Sequence, residues 1–351
     1  MSAPISARNI LVRSANWVGD AIMSTPALHT IRRNYPNARI TLLAKPWVVP
    51  VFEHNPDLDD VMVYQAAGRH RGLNGLMRLA RDLRKRQFDL AILLQNAFEA
   101  ALLAWLAKIP RRLGFTTDAR TLLITDRVRT WGRLKRGHLV DYYLGLLTGA
   151  GLQSFGRNLT LIISPKERQA AERRLQRIGK AADQLVIGIN PGATYGTAKR
   201  WPADRFIALS RKFIEQQNAL VLIFGGPGEA TLGKAIASQA GPRCINLCHE
   251  TTLRQAMALI ASCHAFVTND SGLMHVAAAL DIPQVAIIGP TDPVATGPVN
   301  AASTMVQVAG ICDQAPCLKS HCPTDHRCMT AIGVDDIMAA ALSLLRSRST
   351  P

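Results

Sequence analysis

Aromatic residues are scarce in this sequence of 351 residues, and long apolar runs are absent. Phe, Trp and Tyr make up 5% of the chain, which is too few for the stacking platforms on which single-stranded nucleic acids bind. The longest apolar run, Ala100–Ala107, is far shorter than the roughly 20 residues of a membrane-spanning helix. The early apolar run Ile10–Val12 is too short for the core of a secretory signal. We therefore expect a cytoplasmic protein.

The seven cysteines lack a disulfide pattern and a standard zinc pattern. An odd number of cysteines in a long chain without a secretory signal argues against a disulfide framework. Four of them have the spacing C-x4-C-x4-C-x5-C, which differs from the usual zinc spacings. Three states of these cysteines stay open: a structural zinc site, a pair of disulfides, or reduced thiols, which the cytosol favours. For the catalytic function we predict no metal and no cofactor. The four are Cys312, Cys317, Cys322 and Cys328.

The excess of positive charge lies entirely in the first half of the chain. Residues 1–180 hold 29 Lys and Arg against 13 Asp and Glu, whereas residues 181–351 hold 12 of each. Such a field attracts a polyanion, which can be a nucleic acid, an anionic membrane face or a phosphorylated glycolipid. A solvated basic face without a partner is the alternative. The sequence contains no helix-turn-helix, zinc-finger or RNP signature, which disfavours a nucleic acid.

Short β-branched runs alternate with longer amphipathic stretches, and the rhythm occurs twice along the chain. It predicts two parallel sheets, each covered by helices on both faces. Ser164–Asp183 is charged and has no strand signal, so we place the junction there. We predict an α/β protein with two Rossmann-like, doubly wound domains, residues 1–175 and 176–351. They should face each other across a cleft at the carboxyl ends of their strands, where open sheets bind ligands.

The predicted elements follow from these patterns. In the first half, strands are predicted at Asn9–Arg13, Arg39–Leu43, Val61–Tyr64 and Leu90–Leu94, with helices at Asp20–Tyr35, Leu73–Gln87 and Phe98–Ala107. In the second half, strands are predicted at Leu185–Asn190, Leu220–Phe224, Cys244–Asn246, Ala265–Thr268 and Gln284–Ile288. The helices between and after them are Pro202–Gln217, Gly228–Gln239, Leu253–Ser262, Gly272–Leu280 and Asp335–Ser347.

The first motif, Trp17–Asp20, follows the first predicted strand and opens a helix. Gly19 permits a tight turn and a close backbone approach. Asp20 then stands at a helix start beside the carboxyl end of the strand, where a carboxylate suits a general base for a bound hydroxyl. A helix-capping Asp without chemistry is the alternative.

The second motif, Asn190–Pro202, joins the first strand of the second domain to its first helix. Small residues and hydroxyls in such a loop suit a phosphate ligand, and Lys199 would place a point charge on a diphosphate. The Walker order G-x-x-x-x-G-K-[ST] is absent. An ordinary polar loop with a solvated lysine is the alternative.

The third motif, Thr268–His275, follows another strand of the second domain. Asp270 is predicted to cap the next helix, so the amides of the following three residues point outward, ready for an anion. His275 lies one turn further and can donate to the same phosphate. A capped helix with a structural histidine is the alternative. The three amides belong to Ser271, Gly272 and Leu273.

Together these motifs resemble the ADP-heptose:lipopolysaccharide heptosyltransferases of glycosyltransferase family 9, and the resemblance covers nearly the whole chain. It rests on Trp17–Asp20, on Gly192 and Ala193 followed by Ala198–Pro202, and on Asn269–His275. Within the family, the sequence is most similar to the heptosyltransferase II branch. The resemblance implies a GT-B fold, with the acceptor on the first domain and ADP-heptose on the second, and an inverting reaction without a metal.

The resemblance also implies the reaction. Asp20 deprotonates the 3-hydroxyl of the first heptose of heptosyl-Kdo2-lipid A, and the oxygen attacks the anomeric carbon of ADP-L-glycero-β-D-manno-heptose. ADP leaves, Lys199 assists its departure, and the product carries the α-1,3-linked second heptose of the lipopolysaccharide core. The resemblance implies that Glu229 contacts the ribose and that Thr251 lies near the adenine. The full set of implied donor-binding residues is Thr194, Tyr195, Lys199, Glu229, Thr251, Asp270, Ser271, Gly272, Leu273 and His275.

The basic first half then matches an acceptor that carries carboxylates and phosphates. We expect the protein to bind this glycolipid as a peripheral protein at the cytoplasmic face of the inner membrane. Two alternatives stay open: heptosyltransferase I or III, or another sugar-nucleotide enzyme of the same fold. A nucleic-acid-binding protein is disfavoured. The predicted acceptor-binding residues are Trp17, Arg69, Arg71, Arg84, Arg86 and Arg120.

Overall fold

The structure is a computed structural model and describes residues 6–130 and 132–349. Contacts divide the chain into two compact units, which we call unit 1 (Met1–Ile162) and unit 2 (Ile163–Pro351). Each unit contains a six-stranded sheet whose strand pairs are all parallel. The predicted α/β class with two doubly wound sheets is confirmed.

Unit 1 alternates strands and helices from its first strand onward. Its strands are β1 (Asn9–Arg13), β2 (Arg39–Ala44), β3 (Asp60–Val63), β4 (Leu90–Leu93), β5 (Arg111–Phe115) and β6 (Asp126–Val128). Its α-helices are α1 (Val18–Met23), α2 (Thr25–Asn34), α3 (Gly72–Lys85), α4 (Phe98–Leu106), α5 (Gly132–Arg136) and α6 (Leu139–Gly149). Short 3-10 helices lie at Val49–Phe52 and Thr121–Leu123.

Unit 2 begins with a helix and then repeats the alternation. Its strands are β7 (Val186–Asn190), β8 (Leu220–Ile223), β9 (Cys244–Asn246), β10 (Ala265–Asn269), β11 (Gln284–Ile287) and β12 (Ser303–Val306). Its α-helices are α7 (Pro165–Arg177), α8 (Ala203–Gln217), α9 (Ala230–Ala240), α10 (Leu253–Ile260), α11 (Gly272–Ala279), α12 (Pro293–Thr296), α13 (Arg327–Thr330) and α14 (Val334–Ser349). Short 3-10 helices lie at Thr197–Lys199 and Pro227–Glu229.

The two sheets have the same topology. The strand order is β3-β2-β1-β4-β5-β6 in unit 1 and β12-β11-β10-β7-β8-β9 in unit 2. In both, the first and fourth strands of the unit lie side by side at the centre, and later strands are added outward in both directions. This is the doubly wound order of dinucleotide-binding folds.

The central strands form because their residues suit burial on both faces. All residues of β7 and β10 are buried, as expected of parallel strands covered by helices on both sides. In unit 2, Phe206 and Phe213 of α8 and Ile337 and Ala341 of α14 are buried in the same hydrophobic cluster as these strands. The C-terminal helix predicted at Asp335–Ser347 is therefore a part of the core of unit 2.

The first predicted helix, Asp20–Tyr35, is divided in the structure into α1 and α2. Pro26 has no N–H and therefore cannot donate to the Ile22 carbonyl four residues earlier. The hydroxyl of Thr25 donates to that carbonyl instead, at 2.7 Å. Asp20 consequently lies on a helix of only six residues.

The sequence patterns missed the edge strands β6 and β12. Each is short, and most of its residues are only partly buried or exposed. β6 begins with Asp126 and Arg127, and β12 begins with Ser303 and Thr304, so neither shows the apolar run that the patterns detect. Strand β5 was also missed, because it begins with the charged pair Arg111 and Arg112.

The boundary between the units differs from the predicted one. The predicted boundary after residue 175 lies inside α7, whereas the contacts divide the chain after Ile162. Helix α7 begins with a capping box of Ser164 and Glu167, and the Glu167 carboxylate accepts from Nε and Nη2 of Arg254 on α10 at 2.7 and 2.6 Å. That ion pair joins α7 to unit 2.

In the part of the chain that the structure describes, no helix is long and apolar enough to cross a membrane.

Gly188 lies in tight contact with its neighbours at the centre of the second sheet, and substituting it tests the packing of this core. A Cβ added at Gly188 of β7 would lie 2.5 Å from Cδ2 of Phe266 and 3.0 Å from Sγ of Cys263. We expect Gly188→Ala to lower the free energy of unfolding by about 1–3 kcal/mol, the usual cost of overpacking, as measured by urea unfolding. Gly228→Ala is the control because nothing lies within 4 Å of its added Cβ. Equal stability of the two variants would contradict this packing.

Candidate active site

Each sheet has one point at which the strand order reverses, between β1 and β4 in unit 1 and between β7 and β10 in unit 2. Connections that leave two such neighbouring strands diverge, which opens a crevice outside their carboxyl ends. The segment Trp17–Asp20 follows β1, the loop 191–202 follows β7, and the segment that starts at Asp270 follows β10. All three predicted motifs therefore lie at the points where doubly wound sheets bind ligands.

Asp20 is the third residue of α1 and is partly buried. The N-cap is Trp17, and no side chain caps this helix. The buried phenol of Tyr143 on α6 lies within the field of Asp20, and burial together with that negative charge raises the Tyr143 pKa well above its ordinary value. The loop before α1 is held by Trp47, whose Nε1 donates to the Asn16 carbonyl at 2.7 Å.

The predicted acceptor-binding residues lie at both ends of unit 1. Trp17 is 56% exposed beside the carboxyl ends of the strands. Arg71 is the N-cap of α3, and the nearby Arg69 pairs with Asp82 at 3.0 Å. Arg84 and Arg86 lie at the opposite end of α3, about 20 Å from Arg71 for a helix of this length. There Arg84 is exposed, and Arg86 pairs with Asp60, the first residue of β3.

The sixth predicted acceptor residue, Arg120, is fully buried. Its Nε donates to the Phe115 carbonyl at 3.0 Å, and its two terminal nitrogens donate to the Gln95 carbonyl and to Oδ1 of Asn96. Burial lowers its pKa. Arg120 therefore holds the turn after β4 at the switch point, and its guanidinium is enclosed by the protein rather than open to a large ligand.

In unit 2, Lys199 and Asp270 form an ion pair between the ends of β7 and β10. The Lys199 Nζ lies 2.9 Å from Oδ2 of Asp270, whose side chain is 5% exposed. The same ammonium lies 5.5 Å from the centroid of the Tyr195 ring. Asp270 was predicted to cap α11. Ser271 is the N-cap instead, and its side chain makes no capping hydrogen bond. The carboxylate of Asp270 instead orients Lys199.

The start of α11 lies directly after this ion pair. Ser271, Gly272 and Leu273 are partly exposed, and their backbone amides belong to the helix N-terminus, where the N–H groups lack partners inside the helix. His275 is buried in the next turn. The helix dipole adds positive potential here, so Lys199 and α11 make this crevice suited to an anion.

The remaining predicted donor residues flank the same crevice or its neighbour. Thr194 and Tyr195 are exposed in the loop after β7. Glu229 is buried, and its Oε2 accepts from the Gly226 amide at 2.7 Å. Gly192 leaves room for this carboxylate, because an added Cβ would lie 1.8 Å from Oε1 of Glu229 and displace it. Thr251 lies after β9, partly exposed.

Two buried asparagines hold this crevice together; both lie in the predicted motifs, which assigned them no role. Asn190 donates from Nδ2 to the Phe224 carbonyl at 2.9 Å and accepts from the Ser271 hydroxyl at 2.6 Å. Asn269 donates to the Pro191 carbonyl at 2.8 Å and accepts from the Trp201 amide at 3.1 Å. Each is the last residue of its strand, β7 or β10, where a side-chain amide can hold the loop that follows.

The cysteine-rich segment packs against the loop after β7. The Ser320 carbonyl accepts from the Ala198 amide at 3.0 Å, and Nε2 of His326 lies 2.7 Å from the Ala198 carbonyl. The Leu318 carbonyl accepts from the Tyr195 hydroxyl at 3.1 Å. This segment therefore braces the peptide next to Lys199, a role that its spacing of cysteines did not indicate.

The cysteines of this segment are free thiols. Burial, together with the other three thiols, raises the pKa of Cys328. Over residues 6–130 and 132–349, no three Cys or His ligand atoms of this segment lie within 4.8 Å of one another. The prediction of no metal stays a prediction.

Comparison with known proteins places this geometry in a family. The sequence profile of glycosyltransferase family 9 (heptosyltransferase) matches residues 76–327. Lipopolysaccharide heptosyltransferase 2 of Salmonella typhimurium strain LT2 is 33% identical over 307 residues, which cover 85% of this chain and 88% of that protein. Both comparisons agree with the family predicted from the motifs.

Solved structures agree as well. The ADP-heptose lipopolysaccharide heptosyltransferase II of E. coli superposes with a TM-score of 0.82 at 29% identity, covering 97% of this chain and 100% of that one. A glycosyltransferase family 9 protein of Veillonella parvula gives a TM-score of 0.87 at 26% identity, over 97% of this chain and 98% of that one. The chain belongs to glycosyltransferase family 9, the heptosyltransferases, and has the α/β architecture of its GT-B relatives.

Proposed function

We propose that this heptosyltransferase transfers L-glycero-D-manno-heptose from ADP-heptose to the first heptose of heptosyl-Kdo2-lipid A and forms the α-1,3-linked second heptose. The similarity to heptosyltransferase 2 of Salmonella and to heptosyltransferase II of E. coli supports this choice of acceptor. The observation that carries the proposal is the position of two chemically different groups. The Asp20 carboxylate lies at the topological switch point of unit 1. Lys199 and the N-terminus of helix α11 lie at the topological switch point of unit 2.

The donor diphosphate is assigned to unit 2. When the glycosidic bond to ADP breaks, negative charge develops on the diphosphate, and fixed positive charge lowers the energy of that transition state. Lys199, the amides at the start of α11 and His275 supply this charge in the proposal, which uses no metal and no cofactor. The ion pair with Asp270 keeps the lysine in one orientation before the donor binds. Thr194 and Tyr195 complete the diphosphate site, Glu229 holds the ribose, and Thr251 lies near the adenine.

The acceptor is assigned to unit 1, with Asp20 as the general base. Its carboxylate removes the proton of the attacking hydroxyl, the oxygen forms the new bond to the anomeric carbon, and ADP departs from the opposite face with inversion. Trp17, Arg69 and Arg71 contact the acceptor near this edge. Arg120 positions the turn after β4. Arg84 and Arg86, at the far end of α3, are assigned to the lipid surface.

The peripheral membrane contact is assigned to the exposed side of α3. Leu73 is 81% and Met77 45% exposed, and cationic side chains surround them on the same helix. Exposed apolar groups flanked by cations suit the interface of an anionic membrane. The exposed cations of α3 are Arg78, Arg81, Arg84 and Lys85.

Asp20→Asn tests the general base. We expect kcat for transfer to heptosyl-Kdo2-lipid A to fall by about 100-fold to 10,000-fold, the usual contribution of a general base, while ADP binding stays unchanged. The measurement is product formation by mass spectrometry. Asp183→Asn, at an exposed position of unit 2, should behave as wild type. Full activity of Asp20→Asn would exclude Asp20 as base, and wild-type activity only on the acceptor that lacks heptose would instead indicate heptosyltransferase I.

Lys199→Met tests the diphosphate site. We expect ADP affinity, measured by calorimetry, to fall by about 10-fold to 100-fold, since a charge-assisted bond is lost. Lys234→Met, an exposed lysine of α9, is the control. Because Lys199→Met also leaves Asp270 without this partner, the double variant with Asp270→Asn separates the two effects. Recovery of affinity in the double variant would show that Lys199 only neutralises Asp270.

Charge reversal on α3 tests the membrane contact. We expect Arg81→Glu combined with Arg84→Glu to weaken binding to anionic phospholipid vesicles at low salt by at least about tenfold, because each cation near the surface contributes roughly 1 kcal/mol. The control, Arg173→Glu with Arg177→Glu on the exposed side of α7, makes the same change in net charge. Equal loss in both variants would point to net charge rather than to α3.

A further inference from the structure

Four successive strand ends of unit 1 bring a charged cluster together at the carboxyl edge of the sheet. Arg13 is the last residue of β1, Lys45 follows β2, and Tyr64 follows β3. Glu99 is the second residue of α4, after β4. None of these side chains was singled out by the sequence motifs, and none has a place in the function proposed above.

The Lys45 side chain is mostly buried and packs on an aromatic ring. Its residue is 8% exposed, and its Nζ lies 3.6 Å from the centroid of the Tyr64 ring. Within the described ranges of the chain, its ammonium group donates no hydrogen bond and forms no ion pair within 4.0 Å. Burial and the charge of Arg13 both lower the Lys45 pKa. The stem of the side chain is enclosed, but the ammonium is not one of the fully buried polar atoms without a partner, so an anion can reach it at this edge.

Arg13 stands behind Lys45 and shares the same aromatic ring. Its Cζ lies 5.4 Å from the centroid of the Tyr64 ring. Its terminal nitrogens donate to the Ser14 carbonyl at 2.9 Å and to Oδ1 of Asn16 at 3.1 Å, which are neutral acceptors. Its Nε is buried without a partner. Burial lowers the Arg13 pKa to about 10, and the charge of Glu99 opposes that shift.

The carboxylate of Glu99 does not balance both cations. Burial raises the Tyr64 pKa to about 12, and the hydrogen bond that the Tyr64 hydroxyl donates to Glu99 adds to that rise. The charge of Glu99 acts on Arg13 and on Lys45, so one carboxylate faces two buried cations. The cluster therefore carries one excess positive charge at a low-dielectric edge, where attraction to an anion is stronger than in water.

We propose that Lys45, supported by Arg13, binds one anionic group of the acceptor, either a carboxylate or a phosphate ester, and thereby positions the acceptor hydroxyl for Asp20. The proposal rests on the proposed function, because it takes the acceptor to be an anionic glycolipid. The loop that Arg13 holds through Asn16 leads directly into the helix of Asp20. Lys45 is thus a specificity-determining residue for the acceptor, separate from the arginines on α3.

The alternative is a purely structural lysine that joins the loops after β2 and β3 through the Tyr64 ring. The two alternatives differ in what modifying the acceptor does. If Lys45 binds an anionic group, removal of that group must abolish the effect of substituting Lys45. If Lys45 is structural, its substitution must have the same effect with every acceptor.

The experiment compares wild type and Lys45→Met on three acceptors: heptosyl-Kdo2-lipid A, its carboxylate methyl ester and its dephosphorylated form. We expect kcat/KM of Lys45→Met for the unmodified acceptor to fall by about 10-fold to 100-fold, the range for a lost bond to a charged group. The KM for ADP-heptose should stay unchanged. The loss should vanish on the ester if Lys45 binds a carboxylate, or on the dephosphorylated acceptor if it binds a phosphate.

Matched variants make the outcomes decisive. Lys108→Met, at an exposed position after α4, should match wild type on all three acceptors. Lys45→Arg retains the charge and can keep the cation–π contact with Tyr64, so it should lose less kcat/KM than Lys45→Met on the unmodified acceptor, which also tests the proposal if Lys45→Met fails to fold. No loss in Lys45→Met, or an equal loss on all three acceptors, overturns the inference alone. Failure of the wild type to use any of these acceptors overturns the proposed function and the inference together.

Discussion

In a parallel sheet every strand delivers its carboxyl end to the same edge, and a crossover must return the chain to the other edge before the next strand. This constraint governs both units. Because strands are added outward from β1 and β4, and from β7 and β10, the connections at each centre diverge and leave a crevice. Groups far apart in the chain then meet there, as Lys199 and Asp270 do.

The crevice at the carboxyl ends of β7 and β10 depends on buried polar groups. Asn190 and Asn269 join the ends of β7, β8 and β10 to the loop 191–202. A buried amide is stable only when its hydrogen bonds are made. These bonds therefore fix the backbone of the loop, and the cysteine-rich segment braces the same loop from outside through Ser320 and His326.

The large positive charge of the first half serves more than one physical purpose. Arg120 and Arg13 are buried and hold loops at the edge of the sheet by donating to carbonyl and amide oxygens. The arginines of α3 are exposed and create a field toward solvent. Net charge alone does not separate these classes, because burial and hydrogen-bond partners decide whether a guanidinium supports the fold or faces a polyanion.

Much of the architecture could be predicted from the sequence, because local patterns carry it. The buried runs of β1, β7 and β10 and the alternation with amphipathic helices indicated two doubly wound sheets, and Asp20 and Lys199 could be placed at strand ends. The strands β6 and β12 could not, since each begins with two polar residues and has no longer apolar run. The division after Ile162 lies before the boundary predicted at residue 175, and α7 contacts α10, a helix far along the chain.

The sequence by itself determined the alternation of strands and helices in two halves, the family and the candidate chemistry of Asp20 and Lys199, because these depend on residues that are neighbours in the chain. Only the tertiary structure decided that Asp270 orients Lys199 rather than capping α11, that Arg120 is enclosed, and that Lys45 lies buried on the Tyr64 ring. The physical reason is that burial and ion pairing at a strand end depend on which strands are neighbours. That order is a property of the whole sheet and cannot be read from any one segment.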